Sequence, residues 1–160
     1  MTVSVGDQIP AATVFTLGPG GPQALETSAL FSAKKCVLFA LPGAFTPTCS
    51  AKHLPGFLEH AQALRAKGVD QIICLSVNDA FVMQAWAEAQ SVGDEVTMVA
   101  DGNGDFTRAM GLEEDRRDRG MGNRSKRYAM VVDNGVIQAL HVEAPGKFLV
   151  SDAESILAAL

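Results

Sequence analysis

One cysteine of the sequence stands where the neighbouring residues favour a reactive thiol. Thr46 is a good N-cap, Pro47 suits the first helical position, and Cys49 then falls in the first turn of a predicted helix. A sulfur there lies near unpaired backbone N–H groups and the positive end of the helix dipole, and both favour the thiolate. Because the thiolate is the nucleophilic form of cysteine, the sequence predicts that Cys49 attacks an electrophilic substrate.

The other two of the three cysteines lie in apolar segments. Cys36 opens the run Cys36–Leu41, and Cys74 lies inside Ile72–Val77; both runs are typical of strands covered on both faces. We therefore expect both to be packed core residues, the commonest fate of a free cysteine. An odd number of cysteines without a visible secretion signal indicates reduced thiols in a reducing compartment, so we expect a cytoplasmic protein.

The residues before Cys49 suit a peroxide substrate. Its reduction requires that the attacked oxygen be held and that charge on the leaving oxygen be stabilised. Thr46 offers a hydroxyl, the turn from Gly43 onward offers backbone N–H groups, and Pro42 can shield the thiolate from bulk solvent. A fixed cation, which an arginine supplies without losing its proton, would complete such a site.

Apolar runs and turn residues along the chain predict alternating strands and helices. Strands are predicted at residues 13–17, 36–41, 72–77, 96–100, 128–133 and 136–142. The last two flank Asn134-Gly135, a strong hairpin signal. Helices are predicted at about 46–67, with an interruption at Pro55-Gly56, and at 81–90 after a cap at Asp79.

Two further segments complete the prediction. Residues 112–126 are charged and rich in glycine, which favours a surface loop, and Ser151 and Glu154 form a capping box that opens a short C-terminal helix. Strands separated by helices and closed by a hairpin predict an α/β protein, in which helices flank both faces of a central mixed β-sheet. This order of elements matches a thioredoxin-like fold.

Composition excludes several classes of function. The 160 residues suit one domain spanning 1–160, and the net charge of −5 argues against nucleic acid as the main partner. The longest apolar stretch, residues 36–45, is too short to span a membrane and contains Pro42. We expect no membrane association.

The sequence resembles the Prx5 subfamily of peroxiredoxins, which includes the plant type II enzymes. Proline, three residues, threonine, two residues and cysteine form the signature of that family, and here they are Pro42, Thr46 and Cys49 within PGAFTPTCS. The similarity continues through LPGF at 54–57, SVND at 76–79, the helix of Trp86 and RSKRYAMVV at 124–132. It therefore covers most of the chain.

The resemblance implies a role for each site residue. Cys49 is the peroxidatic cysteine, Thr46 orients the peroxide, Pro42 screens the site, and Arg127 is the active-site arginine, with Arg124 as its competitor. The substrate is expected to contact Gly43 and Thr48. Hydrogen peroxide and organic hydroperoxides are the implied substrates, without metal, haem or flavin. An external thiol system, glutathione with glutaredoxin or thioredoxin, supplies the electrons, and the protein is expected to be a homodimer.

Oxidised Cys49 has two candidate routes of reduction, a disulfide with a second cysteine of the chain or direct reaction with an external thiol. Some plant type II relatives are thought to form a disulfide at the spacing that separates Cys49 from Cys74, so Cys74 is a candidate resolving cysteine. A disulfide needs the two Cα atoms within about 7 Å, however, and the interior of a strand cannot move to meet a helix start without local unfolding. We therefore expect a one-cysteine cycle.

Other functions are compatible with the same residues. Cys49 and His53, four residues apart, permit a thiolate–imidazolium pair, although no partner that orients the histidine is evident. Cys49, His53 and His60 lack a fourth residue at a spacing that suits a metal site. A peroxide sensor would pass the oxidised Cys49 to a partner protein, and a binding protein would not use its chemistry at all.

Overall fold

The computed structural model describes all 160 residues, and most of them belong to strands or helices. The strands are β1 Thr13–Gly18, β2 Gly21–Glu26, β3 Lys35–Leu41, β4 Gln71–Ser76, β5 Thr97–Ala100, β6 Glu113–Asp115, β7 Asn123–Ser125, β8 Tyr128–Asp133 and β9 Val136–Val142. The helices are α1 Thr27–Leu30, α2 Leu54–Glu59, α3 Ala61–Ala66, α4 Ala80–Ala89, α5 Asp105–Met110 and α6 Ala153–Ala158. A π-helical turn at Cys49–His53 precedes α2, and a 3₁₀ turn at Arg117–Arg119 follows β6.

Seven strands form one mixed sheet in the order β2-β1-β5-β4-β3-β8-β9. The central strands β3, β4 and β5 are parallel, and the remaining pairs are antiparallel. The hairpin of β8 and β9 turns at Asn134 and Gly135, whose positive φ angles of 47° and 80° are those that a tight two-residue hairpin turn requires. The predicted mixed α/β sheet and its C-terminal hairpin are confirmed.

The sheet separates two apolar layers. Its central strands are buried on both faces, which explains why apolar and polar residues do not alternate along them. One layer packs α2, α3, α4 and α6 against the sheet and contains Phe57, Trp86 and both Cys49 and Cys74. The opposite layer packs α1 and α5 and contains Phe106 and Cys36. Helices therefore flank both faces, as the thioredoxin-like prediction requires.

The helix that carries the candidate thiol differs from its prediction. No interruption occurs at Pro55-Gly56, because the π-helical turn continues directly into α2 and the break falls at His60. The N–H of Leu54 bonds the carbonyl of Cys49, five residues earlier. The following residue, Pro55, has no N–H to donate. It is tolerated there because the wider π-helical turn has already replaced the regular i→i−4 hydrogen bonds.

Two other local predictions were wrong. The segment 112–126 is not only a loop, because β6 and β7 pair within it as a small antiparallel sheet. The last helix is capped by Asp152 instead of Ser151: the Asp152 carboxylate accepts the N–H of Ser155, while Ser151 is buried and bonds Glu143. The predicted Asp79 cap is confirmed, since its carboxylate accepts the N–H of Val82 at 2.8 Å.

None of the helices combines the length and apolar character needed to cross a membrane.

Candidate active site

The loop after β3 delivers Cys49 to the start of a helix. The helix begins at Pro47, and its first regular bond runs from the N–H of Ser50 to the carbonyl of Thr46 at 3.0 Å. The N–H groups of Thr48 and Cys49 have no backbone acceptor. The predicted position of Cys49 in the first turn is confirmed, and two free donors lie beside it.

Arg127 contacts the thiol. Its Nη2 donates to Sγ of Cys49 at 3.2 Å, although the two residues lie 78 positions apart. Arg127 directly precedes β8, which pairs with β3, so the sheet brings the arginine to the end of the strand that leads to the thiol loop. A guanidinium at hydrogen-bond distance stabilises negative charge on the sulfur. Cys49 itself has no exposed surface.

His53 holds the other side of the same guanidinium. Its Nδ1 lies 2.9 Å from Nη1 of Arg127, and its Nε2 lies 3.0 Å from the carbonyl of Ser151. Since a carbonyl only accepts and a guanidinium only donates, the ring carries its proton on Nε2. Burial, and next the positive charge of Arg127, lower the pKa of His53 to about 3, so the ring is neutral. The interpretation that His53 lacks an orienting partner was wrong.

A buried carboxylate fixes the segment that orients His53. Glu143 accepts hydrogen bonds from the backbone N–H groups of Leu149, Val150 and Ser151 and from the Ser151 hydroxyl. Burial acts to raise the pKa of Glu143, but these hydrogen bonds outweigh it and hold the pKa below its usual value. The carboxylate therefore stays ionised and locks Ser151.

An aromatic ring packs against both members of the pair. The ring centroids of Phe148 and His53 lie 5.0 Å apart, and the guanidinium carbon of Arg127 lies 5.8 Å from the Phe148 centroid. This contact is a cation–π interaction. The sequence offered no signal for Phe148, Glu143 or Ser151 as site residues, because each acts through contacts between distant segments.

Arg124 has a different place. Its Nη1 donates to the carbonyl of Pro42 at 3.2 Å, and its Nε donates to the carbonyl of Met121 at 2.9 Å. It therefore braces the loop before the thiol without reaching the sulfur. A Cβ on Gly43 would lie 2.8 Å from Nη1 of Arg124, so glycine leaves room for this brace. The geometry favours Arg127 over Arg124 as the active-site cation.

The hydroxyl of Thr46 donates to the carbonyl of Gly43 at 2.7 Å, within the turn that precedes the helix. Thr46 thus holds the N-cap position with its backbone, while its hydroxyl bonds back to the loop. The oxygen of the same hydroxyl can still accept a hydrogen bond from a substrate O–H group.

A cavity of about 260 Å³ adjoins these groups. Four predicted site residues line it: Pro42, Thr46, Thr48 and Arg127. Gly43 is not among the lining residues and serves the loop instead. Thr48 lies on the cavity wall and Gly43 is set back from it, and the substrate contact of each stays a prediction.

The other two thiols are both buried. Cys36 faces the opposite apolar layer, and burial raises its pKa to about 11. Cys74 shares the layer of Cys49 but lies in the interior of β4, opposite Phe39 of β3 and Met98 of β5. Burial, and next the nearby Cys49, raise the pKa of Cys74 well above its usual value. Neither is a thiolate at neutral pH, and all three cysteines are free.

No group of three or more His, Cys, Asp or Glu side chains is arranged to hold a metal ion. His53 is turned toward Arg127 and Ser151, and His60 bonds the carbonyl of Gly56 at 2.9 Å. The fold and site thus define a thioredoxin-like protein whose candidate active site contains one thiol, Cys49, hydrogen-bonded by an arginine, Arg127.

Comparison with known proteins identifies the family. The Redoxin family model matches residues 4–157. The chain is 50% identical to peroxiredoxin-2E of Arabidopsis thaliana chloroplasts, over 99% of this chain and 70% of that protein. It is 46% identical to peroxiredoxin-2B of Arabidopsis thaliana, over 99% of this chain and 98% of that protein.

A solved structure supports the same family assignment. Reduced Prx3 of Vibrio vulnificus, in complex with hydrogen peroxide, has a TM-score of 0.95 to this chain with 53% identity, and the match covers 99% of each chain. The chain belongs to the peroxiredoxins, in the group of the Prx5 and plant type II proteins. Members of this family are thiol-dependent peroxidases, and the chain is therefore an enzyme of that kind.

Proposed function

We propose that the protein reduces hydrogen peroxide and organic hydroperoxides with Cys49 as the peroxidatic thiolate. The observation that carries this proposal is the 3.2 Å contact from Nη2 of Arg127 to Sγ of Cys49, at a helix start with free N–H groups. The complex of the Vibrio vulnificus relative with hydrogen peroxide supports the small substrate.

The reaction follows from this geometry. The Cys49 thiolate attacks the O–H oxygen of the hydroperoxide, the O–O bond breaks, and the electron pair leaves with the second oxygen, which takes a proton from solvent to become water or an alcohol. Arg127 and the free N–H groups stabilise the charge that moves from sulfur to oxygen. The Thr46 hydroxyl, which already donates to the carbonyl of Gly43, accepts a hydrogen bond from the O–H of the bound hydroperoxide. The product on the enzyme is a sulfenic acid.

Reduction of the sulfenic acid then uses external thiols. One thiol displaces water from Cys49 to give a mixed disulfide, and a second thiolate restores Cys49. We assign this step to glutathione with glutaredoxin or to thioredoxin, in a one-cysteine cycle. The burial of Cys36 on the far face of the sheet and of Cys74 inside β4 supports the absence of an internal partner. Neither this cycle nor the peroxide step requires a metal, haem or flavin.

We further propose a homodimer in the cytoplasm. Phe45 and Phe81 are 55% and 60% exposed, unusual for phenylalanine. They stand on two segments joined by a hydrogen bond from the N–H of Ala44 to Asn78 at 3.0 Å. Phe45 and Phe81 are therefore candidates for a contact between two copies of the chain. Soluble homo-oligomers are most often two-fold symmetric dimers, in which the same surface of each copy meets the other. Analytical ultracentrifugation of the wild type and of Phe81→Asp tests the homodimer, and the variant is expected to shift toward the monomer.

Steady-state peroxide consumption tests the proposed function. Purified protein is supplied with hydrogen peroxide or an organic hydroperoxide, together with glutathione and glutaredoxin or with thioredoxin and its reductase. We expect many turnovers per subunit with at least one reductant. Consumption that stops at one equivalent per subunit with every reductant would indicate a sensor instead, and no consumption would indicate a binding protein.

A further inference from the structure

We propose that Arg119 and Lys147 form a carboxylate-binding site at the mouth of the cavity beside Cys49, which favours co-substrates that carry a carboxylate near their thiol or hydroperoxide group. This inference rests on the proposed function and specifies the class of molecule that the same site takes.

The cavity is positively charged in a protein that is negatively charged as a whole. The chain carries a net charge of −5. The charged residues that line the cavity are nevertheless four cations and two carboxylates: Arg116, Arg119, Arg127, Lys147, Glu114 and Glu143. A concave surface with an excess of one sign of charge raises the local concentration of the opposite ion. The cavity therefore attracts anions against the charge of the whole molecule.

Two of the cations and both carboxylates are already engaged within the protein. Arg127 is bonded to Cys49 and His53. Arg116 pairs with Glu114, with 2.6 Å between Nε and Oε2. Glu143 is occupied by the donors of residues 149–151. None of these groups is free for a ligand at the mouth of the cavity.

Arg119 and Lys147 are the two cations that remain. Neither is paired with a carboxylate of the chain, and both are exposed. Arg119 ends the 3₁₀ turn, and Lys147 lies in a turn that its N–H closes onto the carbonyl of Ala144 at 3.0 Å. Two separate loops thus present unpaired cations to one cavity.

Size and charge together select a small carboxylate. A volume of about 260 Å³ is near the lower end of ligand pockets, which hold roughly 300 Å³ or more, so it suits a small molecule or the end of a larger one. A guanidinium binds a carboxylate through two parallel hydrogen bonds, and an ammonium group adds a second positive charge. A thiol peroxidase takes two co-substrates, a thiol and a hydroperoxide. The carboxylate that binds Arg119 and Lys147 can belong to either one.

The reductant arm of the test compares glutathione with its diethyl ester, which has the same thiol without the carboxylate charges, and uses hydrogen peroxide as the oxidant. We expect the wild type to prefer the acid, with a preference that falls as salt is added. In the double variant Arg119→Gln, Lys147→Gln, the ratio of kcat/KM for acid to that for ester is expected to fall about three- to tenfold, the scale of losing two exposed charge pairs.

The peroxide arm compares a short hydroperoxide that carries a carboxylate, 4-hydroperoxy-4-methylpentanoate, with its methyl ester, and uses dithiothreitol as a neutral reductant. A fall of the acid-to-ester ratio in this arm alone assigns the site to the peroxide, and a fall in the first arm alone assigns it to the thiol. An unchanged ratio in both arms overturns the carboxylate site.

The matched control is Arg117→Gln. Arg117 lies on the same 3₁₀ turn, but it pairs with Asp115 and does not line the cavity. We expect it to keep the wild-type ratios; an equal fall there would show a general charge effect and overturn the site. Turnover of hydrogen peroxide with dithiothreitol by the wild type is measured separately. Its absence would remove the proposed function, whereas its presence with unchanged ratios removes only the carboxylate site.

Discussion

The guanidinium of Arg127 and the imidazole of His53 form a hydrogen bond in which the histidine is the acceptor. This direction is fixed because Nε2 of His53 is engaged by the carbonyl of Ser151, which leaves Nδ1 without a proton to face Nη1 of Arg127. The neutral ring thus positions the arginine against Cys49 without competing with it for the thiolate. Protonation of His53 would place two cations in contact and break this bond.

The state of His53 makes the protein sensitive to acid. Its pKa is about 3 in the folded protein and about 6.5 in the unfolded chain, so between these values the unfolded chain binds the extra proton. The stability contributed by neutral His53 is therefore present above pH 6.5 and is lost as the pH falls. For one such group the loss from pH 7 to pH 5 is about 2 kcal/mol.

Urea unfolding of wild type and His53→Gln at pH 7 and pH 5 measures this effect. Glutamine keeps an acceptor for Arg127 but does not titrate, so the variant is expected to lose less stability on acidification, by about 2 kcal/mol. His60→Gln is the control, because it leaves His53 in place and is expected to keep the wild-type loss. Equal losses in wild type and His53→Gln would contradict the buried neutral state.

Arg127→Ala is expected to slow the peroxide step on the order of a hundredfold or more, the scale of losing one preorganised donor in a transition state. Arg124→Ala is expected to do less, because Arg124 donates to the Pro42 carbonyl and not to the sulfur. Stopped-flow mixing of reduced protein with hydrogen peroxide gives both rates. A larger loss at Arg124 would reverse the assignment of the two arginines.

Thr46→Val keeps the shape of the side chain and removes its hydroxyl. Since that hydroxyl is the proposed acceptor of a hydrogen bond from the bound hydroperoxide, we expect the peroxide step to slow about a hundredfold. Thr46→Ser restores the hydroxyl and is expected to recover most of the rate. If valine and serine gave the same rate, the hydroxyl would have no part in the reaction.

Oxidation without added thiol tests the one-cysteine cycle. After one equivalent of peroxide, mass spectrometry is expected to find Cys49 as a sulfenic acid or a further oxidised form, with Cys74 still reduced. Cys74→Ala should then turn over with the same reductants as the wild type; alanine is chosen because a serine hydroxyl in β4 would be buried. A quantitative Cys49–Cys74 disulfide, with turnover by thioredoxin lost in Cys74→Ala, would rule out this cycle.

Local sequence patterns predicted the strands, the hairpin turn and the helix start that position the site. The unbroken apolar runs that became β3 and β4, the Asn134-Gly135 turn and the threonine–proline start before Cys49 each depend on neighbours in the sequence. The strand β2 and the helices α1 and α5 were not predicted. Their residues carry weak local preferences, and packing against the rest of the fold decides their structure.

The unpredicted part of the site depends on contacts between distant segments. His53 has four-residue spacing from Cys49, which suggested a direct pair, but in the structure both contact Arg127, 74 and 78 positions away. Ser151 matched a capping box, yet Glu143 takes its hydroxyl and its N–H, and Asp152 caps the helix instead. Local patterns carry no information about such competing partners.

The most direct test of the account is single turnover of Cys49→Ser. Reduced protein is mixed with one equivalent of hydrogen peroxide, and its consumption is followed beside the fluorescence of Trp86, the single tryptophan, whose Nε1 donates to Ser50 next to the thiol at 3.0 Å. We predict that wild type and Cys36→Ala consume the equivalent with a fluorescence change, whereas Cys49→Ser remains folded and consumes none. Consumption by Cys49→Ser at the wild-type rate would contradict Cys49 as the peroxidatic residue.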